Sequence, residues 1–331
     1  MYRILAVAVG QDNSLTFNNP ITGVNPTNVR PYILGLIDGL RFGYSMKIGT
    51  DYDIWYRECP INTADAFNQA NDLIFPMSTR MTVNAINTGT NNPIVFPTGS
   101  NFQKDIPNKL PKNVAGIDAH RDQVDKLLVF FKQAWPSLTT LYYLHLKGYG
   151  PSERGKGGLQ QVAHANNVTL QEWKVTDGNL NLNGLPNGDG QTGLLVLPID
   201  FCLGEGPLQA PNIIQVAQGP VAQGGKNLPT FFPIPDWASA ATPAFGAYGI
   251  SQYMCGRLAS DLVYTILWQK NSPGTFGAVP APPSLFDLVV NPTAADRLRI
   301  RLPASLERHL SRGGQVNSPG HGRDRATGPS R

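Results

Sequence analysis

Little charge, few cysteines and no long apolar run characterise this sequence of 331 residues. Charged residues make up 15% of the chain and apolar residues 41%. Because a membrane-spanning helix needs about 20 mostly apolar residues in a row, and no such run occurs, the composition predicts a soluble globular protein. Three cysteines, Cys59, Cys202 and Cys255, lie far apart without a C-x-x-C partner or a nearby group of histidines. We therefore predict buried free thiols and no metal site.

The formal net charge of +4 comes from the C-terminal end of the chain. Between Arg308 and Arg331 there are five arginines and a single acid, Asp324, and the rest of the sequence is neutral. A nucleic-acid surface needs clustered lysine and arginine, so we predict no nucleic-acid partner. Residues 311–331 also contain too few apolar side chains to offset the entropy lost on folding, and we expect a disordered tail there.

The N-terminus shows no signal peptide. Arg3 is the only early cation, and the apolar segment 4–10 is short and lacks a small-residue cleavage site. We expect this segment to form the first buried strand. Two interpretations of the compartment stay open: the protein is cytosolic, or the sequence begins after a leader peptide.

Apolar runs of strand length alternate with amphipathic helical segments through most of the chain. The predicted strands are 4–9, 52–56, 73–75, 94–96, 138–146, 168–175, 194–197, 230–234 and 285–290. The predicted helices are 29–42, 64–71, 80–87, 124–135, 157–166, 212–217, 252–268 and a short closing piece at 294–301. This alternation predicts an α/β fold of doubly wound parallel sheets, and the chain length favours two domains.

The stretch from Asn71 to Phe102 has the clearest ligand-binding features. Its two predicted strands are followed closely by Ser78-Thr79 and by Thr98-Gly99. In a parallel sheet, ligands bind at the carboxyl ends of the strands, where helix N-termini present unpaired N–H groups. These residues carry hydroxyl groups and no obvious catalytic group. We therefore predict a ligand-binding pocket there, suited to a carboxylate.

Further candidates lie in the second half of the chain. Asp200 follows the strand 194–197 and is predicted to bind an amino group, although capping the next segment is an alternative role. Gly150 and Pro151 follow the strand 138–146 and are predicted to shape the neighbouring wall. Tyr248 has two interpretations, stacking on the ligand or filling a hinge.

The sequence contains no complete version of three enzyme signatures: a phosphate-binding loop, a G-x-S-x-G motif and a catalytic histidine with its partners. The run 150–156, GPSERGK, is interpreted as a strand-to-helix loop similar to a phosphate-binding loop, but Gly157 stands where that motif requires Ser or Thr. No G-x-S-x-G motif occurs. His120, His145 and His164 have neither a cysteine nor a carboxylate pair beside them in the sequence. We therefore predict no enzyme activity, no catalytic residue and no cofactor.

Several sequence segments together resemble the bacterial ABC-transporter substrate-binding protein family with the type 1 periplasmic-binding fold. They are GLIDGLRFG at 35–43, PIVFPT at 93–98, NVAGIDAHRDQVDKLL at 113–128, Tyr248-Gly249 before Cys255-Gly256-Arg257, and Val290-Asn291 before Ala294-Ala295. Their order and spacing match the family over roughly residues 3 to 306. The sequence departs from the family in a Gly/Asn-rich loop at 179–190 that replaces a helix, in the missing leader and in the Arg-rich tail.

The resemblance implies two α/β lobes, joined by three crossovers, that close on a small organic ligand. One lobe would comprise 1–112 with 238–272, and the other 113–237 with 283–306. The implied role is the periplasmic solute-binding component of an ABC uptake transporter, with a membrane permease as partner. The hydroxyls, amides and single well-placed acid fit a zwitterion such as an amino acid. The alternative is the ligand-sensing domain of a transcription regulator, against which the absence of a helix-turn-helix before Ile4 counts, and an enzyme ranks third.

Overall fold

A computed structural model describes most of the chain. The described residues are 1–9, 31–59, 67, 71–99, 110–119, 124–148, 150–176, 181–197, 209–239, 243–304 and 306. The predicted tail at 311–331, most of the predicted helix 64–71, and Cys202 lie outside these residues. Cys255 is buried and free, as predicted. Among the described residues, no helix is both long enough and apolar enough to cross a membrane.

The first of two six-stranded sheets is entirely parallel. In chain order its strands are β1 (Tyr2–Val9), β2 (Tyr52–Cys59), β3 (Leu73–Pro76), β4 (Ile94–Gly99), β5 (Val114–Asp118) and β11 (Ala278–Pro280). They lie in the order β2-β1-β3-β4-β5-β11. The central strands are buried on both faces, which is why they read as continuous apolar runs.

Among the described residues, three helices pack on this sheet in the first lobe. They are α1 (Pro31–Asp38), which continues as a π-helical turn at Gly39–Gly43, α2 (Thr79–Asn87) and α6 (Gln252–Leu267). Helices α1 and α6 share an apolar cluster on one face of the sheet, and α2 packs on the other face. The lobe therefore has the two-sided cover that a parallel sheet requires.

The second sheet is parallel except at one edge. Its strands are β6 (Thr140–Leu146), β7 (Thr169–Val175), β8 (Thr192–Val196), β9 (Thr230–Phe232), β10 (Gly246–Gly249) and β12 (Asp287–Val290). They lie in the order β7-β6-β8-β9-β10-β12, and β12 runs antiparallel to β10. Four helices complete this second lobe: α3 (Val124–Ala134), α4 (Gly150–Ala165), α5 (Gln209–Gln218) and α7 (Pro292–Arg297). Single 3-10 turns occur at Val221–Gln223, Pro235–Trp237, Pro273–Thr275 and Pro283–Leu285.

Both sheets have the same strand order when the strands are counted within each lobe. That order is 2-1-3-4-5 followed by a late sixth strand. The predicted fold class of two doubly wound α/β sheets is thereby confirmed. In such sheets the strand order reverses between strands 1 and 3, and the crevice at the carboxyl ends of these two strands is the usual ligand site. The reversal lies between β1 and β3 in the first lobe and between β6 and β8 in the second.

Three short crossings connect the two lobes, and each joins carboxyl edges. The first runs from the end of β5 to the start of α3, and the second from the end of β10 to the start of α6. The third runs from the end of β11 to β12, whose first residue, Asp287, pairs with Gly249 at the carboxyl end of β10. A helix that leads into a strand of a parallel sheet begins at the carboxyl edge of that sheet, as α3 does before β6 and α6 before β11. The crossings therefore hold the carboxyl edges of the two sheets towards each other.

Two strands belong to sheets other than those predicted. Val114–Asp118 pairs with β4 in the first sheet, although residues from 113 onwards were predicted in the second lobe. Gly246–Gly249 pairs with β9 and β12 in the second sheet, although 238–272 were predicted in the first lobe. The chain therefore crosses later than predicted at both points, because these strands extend an existing ladder before the chain leaves the sheet. Residues of β5, β10 and β11 were themselves not predicted as strands.

The Gly/Asn-rich segment before β8 forms neither helix nor strand between residues 181 and 190, as predicted. It nevertheless packs against the sheet. Leu182 and Leu185 are buried in the cluster that includes residues of β8, and the indole Nε1 of Trp173 donates to the Asn181 carbonyl at 2.9 Å. This segment covers part of the face that a helix would otherwise cover.

Candidate functional site

The first-lobe half of the candidate site lies where β3 and β4 end. The structure brings Ser78, Thr79, Thr98 and Gly99 to the same carboxyl edge, because β3 and β4 are parallel neighbours. The side chains of Ser78, Thr79 and Thr98 are almost fully buried, with 7%, 7% and 8% of their surface exposed. They can therefore contact a ligand enclosed in a crevice, and little bulk water competes with them.

Ser78 is the N-cap of α2. Its backbone is extended, and its Oγ accepts the backbone N–H of Met81 at 3.1 Å. That bond uses an oxygen lone pair and leaves the hydroxyl hydrogen able to donate to a ligand. The positive end of the helix dipole favours an anionic group at this point. This half of the site is suited to a carboxylate.

The second-lobe residues Gly150 and Pro151 form the first turn of α4, which begins at the carboxyl edge of the second sheet. The prediction of a loop over 150–156 is wrong. Proline has no N–H and is well tolerated in a first helical turn, where that N–H would lack a helical partner. The helix therefore begins seven residues before the predicted start at 157.

The same helix excludes a phosphate-binding loop at this position. Such a loop requires a run of non-helical backbone N–H groups around the phosphates, whereas Gly150–Ala165 is helical. Lys156 is paired instead with Glu172 of β7, with 2.9 Å between its Nζ and the Oε1 atom. Gly157, in the position of the motif's hydroxyl residue, is exposed on the helix surface.

Asp200, the predicted partner for an amino group, lies outside the described residues. The strand before it ends at Val196, and the N–H of Leu197 still donates to the Leu144 carbonyl at 3.2 Å. Asp200 therefore follows the carboxyl end of β8 by only a few residues. Its role as a ligand contact stays a prediction.

Tyr248 packs in the apolar core of the second lobe close to the crossings. It is 6% exposed, and its ring centroid lies 4.3 Å from that of Phe130 on α3 and 5.8 Å from that of Phe286. Phe286, in the third crossing, contacts the apolar clusters of both lobes. Burial raises the pKa of the Tyr248 hydroxyl. The packing corresponds to the hinge-filling interpretation, and contact with a ligand stays a prediction.

Asp236 is a further candidate residue, which the sequence analysis did not identify. It follows β9 at the carboxyl edge, and its Oδ2 accepts the backbone N–H of Gln252, the first residue of α6, at 3.1 Å. Because β9 belongs to the second lobe and α6 to the first, this bond spans the second crossing. Burial raises the pKa of the Asp236 carboxyl, and the Gln252 N–H opposes that shift. The strand-end rule that selected Asp200 applies equally to this residue.

The substitution Asp236→Asn is expected to raise the melting temperature of the unliganded protein near pH 7. A carboxyl whose pKa is higher in the folded state than its unfolded value of about 3.9 is stabilising only when protonated. That contribution is present below the unfolded pKa and is lost as the pH rises through the folded pKa. Asparagine keeps an oxygen to accept the Gln252 N–H and has no charge to bury.

The measurement is the difference in melting temperature, variant minus wild type, at about pH 7 and at about pH 4, close to the unfolded pKa of the carboxyl. The difference should be positive at the higher pH and smaller at the lower pH. A variant that melts below wild type at neutral pH would show that the charge of Asp236 stabilises the crossing.

The described residues contain no group of three or more His, Cys, Asp or Glu side chains able to hold a metal ion. The structure does, however, place two carboxylates beside His145, which the sequence presented as isolated. Its ring nitrogens lie 3.1 Å from Glu153 Oε2 and 3.1 Å from Glu172 Oε1. Eight and twenty-seven residues separate these glutamates from His145, so no local motif reveals the contact.

Comparison with solved structures finds the same fold in several binding proteins and regulators. A Streptococcus pneumoniae ABC domain in complex with L-Trp is 14% identical with a TM-score of 0.68, over 93% of this chain and 97% of that chain. The substrate-binding protein CD0873 of Clostridium difficile is 19% identical with a TM-score of 0.59, over 92% and 97%. A probable maltose operon transcriptional repressor of Staphylococcus aureus is 15% identical with a TM-score of 0.53, over 88% and 98%.

No protein-family model and no curated protein matches the sequence. At these identities, the structural similarity establishes the fold. Substrate-binding proteins and transcriptional regulators both have it.

Proposed function

From the type 1 periplasmic-binding fold of this chain, we propose that it is the solute-binding component of an ABC uptake transporter. The observation that carries the proposal is the set of three short crossings between carboxyl edges of two sheets with the same strand order. Each edge is the usual ligand site of its sheet, so the two sites share one crevice. The protein closes its lobes on a small organic ligand in the periplasm and presents the closed form to a membrane permease.

The mechanism is hinge closure, with no bond made or broken. A ligand shifts the open and closed populations only as far as it binds the closed state more tightly. Contacts from both lobes are therefore needed, and both edges supply them. On the first lobe these are the hydroxyls and the helix N-terminus at Ser78 and Thr79. On the second lobe they are the strand-end acids Asp200 and Asp236.

The ligand class that suits this arrangement is an amino acid. A carboxylate is stabilised by the N-terminus of α2, where the Ser78 hydroxyl donates, and Thr98 and Gly99 complete the pocket. An ammonium group is stabilised by an acid on the facing edge. Asp200 is the assigned partner, and Asp236 is the second acid within the same crevice.

A ligand-sensing domain of a transcription regulator is the second candidate, favoured by the similar fold of the Staphylococcus aureus repressor. Both candidates close on a small ligand, so ligand binding is the claim they share. Stimulation of a reconstituted permease by the liganded protein would separate them, because a regulator domain does not contact a permease.

A thermal-shift screen of amino acids, sugars and aromatic acids tests the shared claim. A ligand at about 100 times its dissociation constant should stabilise the folded state by roughly 2.7 kcal/mol, which raises the melting temperature by several degrees. The expected result is stabilisation by a subset of amino acids and none by sugars. Stabilisation by sugars alone would reject the zwitterion assignment but keep the binding function.

A further inference from the structure

The turn between β6 and α4 lies at the point where the strand order of the second sheet reverses. Three bonds fix it. The N–H of Lys147 donates to the Val175 carbonyl at 3.0 Å, that of Leu146 to Ser152 Oγ at 3.4 Å, and that of Gly148 to Glu153 Oε1 at 3.1 Å. Gly148 has a φ of 76°, a conformation that glycine adopts without strain. Two of the three acceptors therefore lie on the first turn of α4.

His145 lies beneath this turn and is 1% exposed. Its Nε2 is 3.1 Å from Glu153 Oε2, and its Nδ1 is 3.1 Å from Glu172 Oε1. Neither contact has the alignment of a hydrogen bond. They are close contacts between a ring nitrogen and a carboxylate oxygen. The same carboxylate of Glu153 thus faces the imidazole with one oxygen and holds the Gly148 N–H with the other.

The charged groups around the imidazole come from two neighbouring elements. Glu153 and Lys156 extend from α4, and Glu172 and Lys174 extend from β7. The pKa of the Glu153 carboxyl is held below its usual range first by the Gly148 N–H and then, against the effect of burial, by His145. Each of the two carboxylates also has a second partner, the Gly148 N–H for Glu153 and the Lys156 ammonium group for Glu172.

We propose that His145 is a positioning residue of the ligand site, which acts through Glu153 to hold the Gly148 turn at the carboxyl edge of the second lobe. The inference rests on the proposed function, because it assigns this turn to the wall of the ligand crevice. A wall that is fixed before binding spares the ligand the cost of ordering it. Glu153 alone is 45% exposed and would hold the turn weakly, since water competes for an exposed carboxylate.

Amide hydrogen exchange in the unliganded full-length protein tests the positioning step. Peptides that span residues 145–150 should exchange about 10-fold faster in His145→Leu and in Glu153→Ala than in wild type, because the Gly148 amide loses its fixed acceptor. The double variant should exchange no faster than Glu153→Ala alone, because His145 acts through Glu153. Asn166→Ala, at the opposite end of α4, is the matched control and should leave these peptides unchanged.

Any of three results would overturn the positioning role. Unchanged exchange in both single variants would show that the turn is held without them. Additive effects in the double variant would show that His145 acts only through general packing. If the 145–150 peptides exchanged as fast in Asn166→Ala as in His145→Leu, the effect of His145 would also be one of general packing.

Calorimetric titration with L-tryptophan as the probe links the turn to the ligand crevice. His145→Leu is expected to weaken binding about 10-fold relative to wild type and to Asn166→Ala, because the ligand must then order the turn itself. Equal affinity in the three proteins, with faster exchange in His145→Leu, would place the turn outside the crevice and overturn the inference. If wild type binds neither L-tryptophan nor any compound of the screen, the proposed function fails, and the exchange experiment alone decides whether His145 holds the turn.

Discussion

Gly35→Ala is expected to destabilise the first lobe by about 3 kcal/mol or more, at the upper end of the cost of overpacking a core. A methyl group at Gly35 would lie 1.9 Å from the backbone carbonyl oxygen of Tyr253 on α6. Backbone atoms inside a helix cannot rotate away as a side chain can, so α1 and α6 must separate. A methyl group at Gly256 would lie 2.0 Å from the Tyr32 carbonyl oxygen in the same contact between α1 and α6, so Gly256→Ala should have a similar effect.

The matched control is Gly157→Ala on α4. It is also a helical glycine, but no atom lies within 4 Å of the added methyl group. Alanine is favoured over glycine in a helix by about 1 kcal/mol, so this variant should be neutral or slightly more stable. Urea unfolding, followed by far-UV circular dichroism, gives the comparison. Equal midpoints for Gly35→Ala and Gly157→Ala would show that α1 and α6 do not approach as closely as described.

Asp200→Asn is expected to weaken amino-acid binding by about 2–5 kcal/mol, the usual cost of removing one partner of a desolvated charged hydrogen bond. The substitution keeps the shape of the side chain and removes the charge that pairs with the ligand's ammonium group. Its melting temperature without ligand should stay near that of wild type. If Asp200 instead caps the next segment, the variant should melt earlier and bind as tightly as wild type.

Three further variants make the comparison specific. Asp236→Asn is the same substitution at the other strand-end acid. A larger loss of affinity in this variant would identify Asp236, and not Asp200, as the partner of the ligand's ammonium group. Ser78→Ala removes a helix cap worth about 1 kcal/mol of folding stability and a donor to the ligand, so both stability and affinity should fall. Asn291→Ala removes the cap of α7, where the Asn291 side chain accepts the Ala294 N–H at 2.9 Å, and should lower stability only. Calorimetric titration with the amino acid found in the screen measures the affinities.

Local patterns were sufficient to predict most of the secondary structure. Strands β3, β4 and β8 are buried along their whole length, so their apolar runs indicate parallel strands directly. The start of helix α2 was predicted to within one residue, and the structure shows Ser78 as its N-cap. The ends of these elements then placed Ser78 and Thr98 on one edge, because side chains at the carboxyl ends of parallel neighbours lie together.

Features that depend on contacts distant in the sequence were not predicted. Gly246–Gly249 contains two glycines and one alanine, a composition with low strand propensity, and pairing with β9 and β12 makes it a strand. The lobe to which β5 belongs is decided by its pairing with β4 and β11. The contacts of His145 depend on the register of β6 with β7, which aligns Tyr143 with Glu172 and brings a carboxylate under α4.

The central claim, closure of two lobes on a small ligand, is tested most directly by small-angle X-ray scattering with and without the best amino acid from the screen. Closure brings the two lobes together, so the radius of gyration should decrease at saturating ligand and stay constant with an amino acid that gave no thermal shift. The decrease should follow the same concentration dependence as binding in calorimetry. A radius of gyration that does not change while the ligand is fully bound would contradict hinge closure as the mechanism.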